Sequence, residues 1–147
     1  MKVIIQRSLN ASVKVDDKIV GKIDKGYVIL VGFSKEDNES ILPKMAKKIV
    51  NLRIFEDKNN KMNYDIKRVN GQILLISQFT LYSILDGNRP SFTNALNYND
   101  ANNLYKKFVE ELKKYDIPIE TGEFGADMKV SLINDGPVTI IIDSKEV

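Results

Sequence analysis

The run Gly26-Tyr27-Val28-Ile29-Leu30-Val31-Gly32-Phe33 constrains the fold of this chain more than any other segment. It is apolar without interruption and bounded by glycines, which predicts a strand buried on both faces. Strand signals also dominate what precedes it. Val3-Ile4-Ile5 opens the chain and Ala11 to Val15 alternates. Asp16-Asp17 supplies a turn and Ile19 to Ile23 returns, the pattern of a hairpin. GQILLISQFTLY (71–82) is the longest strand candidate. MKVSLIN (128–134) and VTIIID (138–143) read as two closing strands joined through Asp135-Gly136-Pro137.

Two helices separate these strands. Ser40 is the expected N-cap of the first, with Pro43 in its first turn and Ile41, Met45, Ile49 and Leu52 at helical spacing. Asn99 is the expected cap of the second, whose apolar stripe is Ala101, Leu104, Tyr105, Phe108, Leu112 and Tyr115. Glu110 and Lys114 form a supporting pair, and Pro118 ends the helix. Arg53-Ile54-Phe55 reads as a short strand, EDKNNKMNYD as a surface turn, and SILDGNRPSFTNALNYND as a loop long enough to carry function. Grouped strands with two segregated helices predict an α+β fold rather than an alternating doubly wound one. With 147 residues and no repeat or linker, one domain over 1–147 is expected.

The composition excludes much chemistry. There is no cysteine, hence no disulfide, thiolate metal site or cysteine nucleophile, and no histidine, hence no Ser-His-Asp triad and no His-containing zinc site. A general base must be a carboxylate, a lysine, a terminal amine or a group on the substrate. No metal or cofactor is expected. A net charge of +2 permits an anionic partner without demanding one. The opening MKVIIQRSLNASVKV is too short and polar for a signal peptide and no run reaches membrane-span length, so the expectation is a cytoplasmic protein with no membrane partner.

Two segments break local rules. In Ser77-Gln78-Phe79-Thr80-Leu81, polar groups enter both faces of a strand that Ile73 to Ile76 mark as buried. Unpaired buried polar groups cost roughly 1–3 kcal/mol, so the strand either emerges at a sheet edge or ends at a site offering the Ser77 or Thr80 hydroxyl and backbone N–H groups. Asn134-Asp135-Gly136-Pro137-Val138-Thr139 is turn chemistry, and a plain connector satisfies it. Lys44, Lys47, Lys48, Lys106, Lys107, Lys113 and Lys114 share helix faces with acids and read as solvated surface. Arg7 differs, because it interrupts an apolar strand and needs an anionic or carbonyl partner if buried.

Taken in order, these segments resemble the D-aminoacyl-tRNA deacylase (D-tyrosyl-tRNA deacylase) family. The matching blocks are Gln6-Arg7, Arg53-Ile54-Phe55 with Lys61-Met62-Asn63, SQFTL at Ser77 to Leu81, RPSF at Arg89 to Phe92, FGADMKVSL from Phe124, and NDGPVT at Asn134 to Thr139. The resemblance implies a two-layer, mostly antiparallel β core with helices outside, and a homodimer with its active site at the subunit interface. It implies that SQFTL lines the pocket of one subunit while Gly136-Pro137, in the cis form, enters from the other. It further implies that Arg7 braces that segment through carbonyl hydrogen bonds, and that Phe124, Gly125 and Met128 line or support a pocket for the terminal adenosine. The implied partner is the 3′ end of aminoacyl-tRNA, not DNA. The implied activity is hydrolysis of D-aminoacyl-tRNA, and of glycine mischarged on tRNA for alanine.

Physical reasoning adds to that picture. Ester hydrolysis places negative charge on the carbonyl oxygen, and the backbone amides of Phe79 and Thr80 are the candidate donors. Thr80 either attacks directly or positions the substrate while the ribose 2′-OH activates water; the missing histidine favours the second. Two Gly136-Pro137 carbonyls aimed the same way would hold the ammonium group and fill the space of an L side chain, rejecting it sterically. Glycine has no side chain to exclude. One departure is Asp86, where the family carries a basic residue, which leaves any phosphate contact there to Arg89 or the helix lysines. The competing readings are a non-catalytic, RNA-binding dimeric module and a hydrolase of small D-amino acid esters.

Overall fold

The computed structural model describes residues 1–147. Strands β1 (Lys2–Val15) and β2 (Lys18–Gly32) form the expected hairpin, and β1 runs unbroken where two segments were predicted. Asp16 and Asp17 turn it at φ of 48° and 63°, a left-handed pair whose twist suits a two-residue connection. Then come helix α1 (Leu42–Val50), β3 (Phe55–Glu56), β4 (Met62–Tyr64), β5 (Gln72–Ser77), β6 (Ile84–Leu85) and β7 (Pro90–Ser91). Helix α2 (Tyr98–Lys113), β8 (Ile119–Thr121) and β9 (Lys129–Asp143) complete the chain. No helix is long and apolar enough to cross a membrane.

The main sheet has the order β8-β5-β2-β1-β9. β1 pairs antiparallel with β2 and β9, whereas β2–β5 and β5–β8 are parallel. The long ladders are thus antiparallel, with two short parallel ladders towards one edge. β2 and β5 lie inside and are covered on both faces. Tyr27, Ile29, Val31, Ile73 and Leu75 join Met45, Ile49, Leu104 and Phe108 of the two helices in the main core. Val28, Leu74 and Ile76 instead join Ala11, Val13 and Ile23. The latter three come from the far half of the β1–β2 hairpin, which bends over the second face of the sheet, with Gly26 at φ +149° marking the bend. Gly21 is in close contact there, since a Cβ on it would lie 2.5 Å from the Thr121 carbonyl oxygen and 3.1 Å from Leu74 Cδ1. Each Leu or Ile so buried contributes about 1.5–3 kcal/mol.

Several element boundaries differ from expectation, for identifiable reasons. Ser40 does not cap α1. Asn38 Oδ1 takes both the Ser40 N–H (3.0 Å) and its hydroxyl (2.6 Å), capping a short 3-10 turn, Glu39–Ile41, ahead of the helix. Asn97, not Asn99, caps α2: its Oδ1 accepts from Asp100 N at 3.0 Å and its Nδ2 donates to Asp100 Oδ2 at 2.7 Å. Lys114 pairs with Glu111, and Glu110 with Lys113, rather than Glu110 with Lys114. Within Arg53-Ile54-Phe55 only Phe55 is in a strand, and the stretch read as a surface turn carries the β3–β4 hairpin. The loop after Ser83 contains the β6–β7 hairpin, and its last residues already belong to α2. The two closing strands are one, β9, which pairs with β1 on both sides of a bulge between Asn134 and Thr139.

Candidate active site

β2, β5 and β8 run parallel, so their carboxyl ends lie at one side of the sheet, where open parallel sheets commonly bind ligands. A cavity of about 480 Å³ lies there. Its walls are Val31–Phe33 at the end of β2, Ile76–Phe79 at the end of β5, 124–128 after β8, Val130 of β9, and the start of α2 with Leu96 before it. Most of the lining is apolar, and no lysine or arginine contributes to it. The single carboxylate, Asp127, accepts from Lys129 Nζ at 3.0 and 3.1 Å.

The predicted long strand through SQFTL stops at Ser77. Gln78 N–H still donates to the Val31 carbonyl at 2.7 Å, but Gln78 turns to φ −146°, ψ 80°, and Phe79–Tyr82 form a 3-10 helix. The crossing is close because residue 32 is glycine: a Cβ there would meet the Gln78 carbonyl oxygen at 2.7 Å and Leu81 Cβ at 3.1 Å. Entry into a helix leaves its first N–H groups, those of Phe79 and Thr80, without intrahelical carbonyl partners. Gln78 Nε2 donates to Thr80 Oγ1 at 2.6 Å, so the hydroxyl is an acceptor in that bond and keeps its own proton to donate.

Tyr105 supports the cavity from below. Its hydroxyl donates to the Leu75 carbonyl at 2.6 Å, and its ring centroid lies 5.5 Å from that of Phe124. Burial pushes the Tyr105 hydroxyl pKa up, which keeps it a donor.

NDGPVT lies elsewhere. Between Gln6 and Ser8 the partner positions on β9 pass from Thr139 to Asn134. β1 advances two residues (8 − 6) while β9 spans five (139 − 134), so three extra residues bulge from the edge. Asn134 closes the bulge: its Nδ2 donates to Thr139 Oγ1 at 3.0 Å, and Val138 N donates to its Oδ1 at 2.7 Å. Arg7 is buried beside it, with Nε donating to the Asp135 carbonyl at 2.8 Å and Nη1 to the Ile54 carbonyl at 2.7 Å. Glu56 and Asp135 add carboxylates 3.8 and 3.7 Å from that guanidinium. The Gly136-Pro137 peptide is cis, and both residues are exposed.

Of the residues singled out in sequence, Ser77, Gln78, Phe79, Phe124, Gly125 and Met128 share the cavity. Thr80, Arg7, Gly136 and Pro137 do not line it. Tyr98 and Asp127 do line it and escaped sequence reasoning. For Tyr98 a signal existed: Leu96 and Ala101 stand at the staple positions around an Asn97 cap, which would have started the helix at Tyr98.

Comparison with known proteins places this geometry in a family. The model for a family described as D-Tyr-tRNA(Tyr) deacylase matches residues 4–143. D-aminoacyl-tRNA deacylase from Flavobacterium psychrophilum is 55% identical over 147 residues, covering 99% of this chain and 98% of the relative. The enzyme of that name from Thermosipho africanus is 49% identical over 148 residues, covering 100% and 99%. A solved structure titled c-Myc DNA Unwinding Element Binding Protein superposes with a TM-score of 0.91 at 40% identity, covering 97% of this chain and 98% of its own. The structure of a probable eukaryotic D-amino acid tRNA deacylase, at 16% identity and a TM-score of 0.83, shares the fold, covering 96% and 97%. With the family model spanning nearly the whole chain and full-length relatives at about half identity, this protein belongs to the D-aminoacyl-tRNA deacylases, hydrolases of an ester bond.

Proposed function

We propose that this chain hydrolyses the ester between a D-amino acid, or glycine mischarged on tRNA for alanine, and the terminal ribose of tRNA. The observation that carries the reading is the SQFTL turn at the cavity mouth, with two N–H groups free of helix partners and Thr80 fixed by Gln78. Those N–H groups stabilise the oxyanion as water adds to the carbonyl carbon; one such donor is worth about 3–4 kcal/mol. The C–O bond to the ribose then breaks. The proton lost by water reaches the leaving 3′ oxygen through the adjacent 2′-OH, which acts where a histidine would otherwise serve, and Thr80 positions the substrate.

The protein acts as a homodimer whose site lies at the subunit interface, with Gly136-Pro137 of the partner subunit meeting the substrate. Their carbonyls accept from the ammonium group and occupy the space of an L side chain. Support comes from the exposure of these residues on a braced bulge, away from the cavity of their own subunit. Further support is the position of β9 as an edge strand with Ile133 and Ile141 exposed. Phe124, Gly125 and Met128 receive the terminal adenosine, Arg89 and helix lysines take phosphate contacts in place of Asp86, and the protein works in the cytoplasm.

Incubation with matched D-, L- and glycyl-tRNA and a small D-amino acid ester tests the reading. The expected outcome is cleavage of the D- and glycyl-tRNA alone. No cleavage at all identifies a binding module, and cleavage of the small ester identifies a small-molecule hydrolase. Thr80→Ala is expected to retain single-turnover cleavage at a reduced rate, which would sink a nucleophile role for Thr80.

A further inference from the structure

Positive charge is unevenly spread over a chain whose net charge is only +2. Where the β1–β2 hairpin bends over the sheet, Ala11, Val13 and Ile23 point inward, as do Val130 and Leu132 of the adjoining β9. Side chains alternate along a strand. Ser12 and Lys14 of β1, Lys22 of β2, and Lys129 and Ser131 of β9 therefore face outward. The register sets them in two rows. Lys14 stands directly across from Lys129 on one side and Ile19 on the other, and Ser12 lies between Lys22 and Ser131. This outer face holds three lysines, two hydroxyls and no carboxylate.

Like charges directly opposite one another in a ladder repel, and little relieves Lys14 and Lys129. Lys14 and Lys22 have no ion-pair partner. Lys129 does have Asp127, but both side chains are exposed, at 75% and 86%, and solvent screens the pair. The face also has a telling place in the fold. Met128 and Val130, on either side of Lys129, line the cavity, so the lysine row starts at the cavity rim and leads away from it. A flexible polyanion leaving the cavity over that rim meets Lys129 and then Lys14, with the Ser12 and Ser131 hydroxyls beside them and Lys22 beyond. Lysines and hydroxyls are common contacts to phosphate oxygens. We infer that this face is a track for RNA phosphates, which, resting on the proposed function, are those of the unpaired 3′ end of the substrate tRNA.

Fluorescence anisotropy with uncharged tRNA over a series of salt concentrations tests the track without requiring turnover. The slope of log affinity against log salt counts phosphate contacts, at about 0.7 per phosphate on a single strand. The triple variant Lys14→Gln, Lys22→Gln, Lys129→Gln is expected to lower that slope by about 2, and to raise KM for D-aminoacyl-tRNA while kcat holds. It melts no lower than wild type, because the substitutions remove a repulsion rather than a contact. Trimming the unpaired 3′ nucleotides from the tRNA lowers the wild-type slope by the same amount and costs the triple variant nothing more. A control triple, Lys58→Gln, Lys61→Gln, Lys67→Gln, keeps the wild-type slope. An unchanged slope in the first triple overturns the inference, even if that variant loses binding to vesicles of anionic lipid. An equal fall in the control triple, or a further fall of the first triple on trimmed tRNA, also overturns it. The two readings fail separately. A lysine-dependent slope without cleavage of D-aminoacyl-tRNA sinks the reaction and keeps the track. Cleavage with an unchanged slope does the reverse.

Discussion

Gly136 carries a constraint that a single methyl group would break. Its φ of +141° lies outside the range of L side chains, and an added Cβ would meet Val138 Cγ2 at 2.6 Å and Val138 N at 3.0 Å. Val138 is 8% exposed and anchored in the main core, so the bulge must move instead. Backbone strain of that kind costs about 1–3 kcal/mol. Gly136→Ala is therefore expected to lower discrimination against L-aminoacyl-tRNA more than it lowers D-aminoacyl-tRNA cleavage; parallel deacylation of both enantiomers measures the ratio, and an unchanged ratio would count against the exclusion role. The sequence marks Gly136 as a turn glycine, and that is as far as residue chemistry reaches. The same tetrapeptide serves a connector or a bulge, and what separates them is β1, more than a hundred residues away. Arg7 was more legible, because a buried guanidinium must find acceptors, and it finds the carbonyls of Asp135 and Ile54.

Among the elements, the β3–β4 hairpin depends on one carboxylate. Asp57 accepts from the N–H groups of Lys61 and Asn59 and from the Asn63 amide, which together hold its pKa below the ordinary value of 3.8. Because the folded pKa is lowered, the charged form stabilises the hairpin at pH above the ordinary value. That contribution is lost as pH falls through the lower, folded pKa. An NMR titration of the Asp57 carboxyl is expected to show a midpoint below 3.8, and a midpoint at or above it would remove the linkage. This hairpin hid inside a polar stretch because its strands are only two and three residues long and carry no alternation to read. β2 was legible for the opposite reason, its run being long enough that burial on both faces leaves no polar position. β5 was overextended because apolar and polar residues mix beyond Ser77. The loss of a neighbour past Gly32, not a change in composition, ends the strand.

The whole molecule divides its work between two sides of one sheet. The parallel side builds most of the cavity, and the antiparallel side ends in a fifteen-residue edge strand that adds Val130 to the cavity and carries the bulge. Ile141, at 69% exposure on that edge, is suited to a partner. Ile141→Lys is expected to shift sedimentation from dimer to monomer and to abolish deacylation with it; a fully active monomer would refute a shared site. Resemblance made the family, the fold class and the expected split between SQFTL and Gly136-Pro137 legible, whereas side-chain periodicity alone says only which residues are buried.

That the bulge stands apart from the cavity of its own subunit has a genetic consequence. In the proposed dimer each site draws its cavity from one chain and its gate from the other. Two alleles, one altered at the cavity and one at the gate, each severely enough to abolish D-aminoacyl-tRNA cleavage, yield inactive homodimers. Their mixed dimer concentrates both defects in one site and leaves the second intact, so the purified mixed dimer is expected to show about half the wild-type activity, and equal co-expression with random assembly about a quarter. Two alleles altered on the same side would not complement.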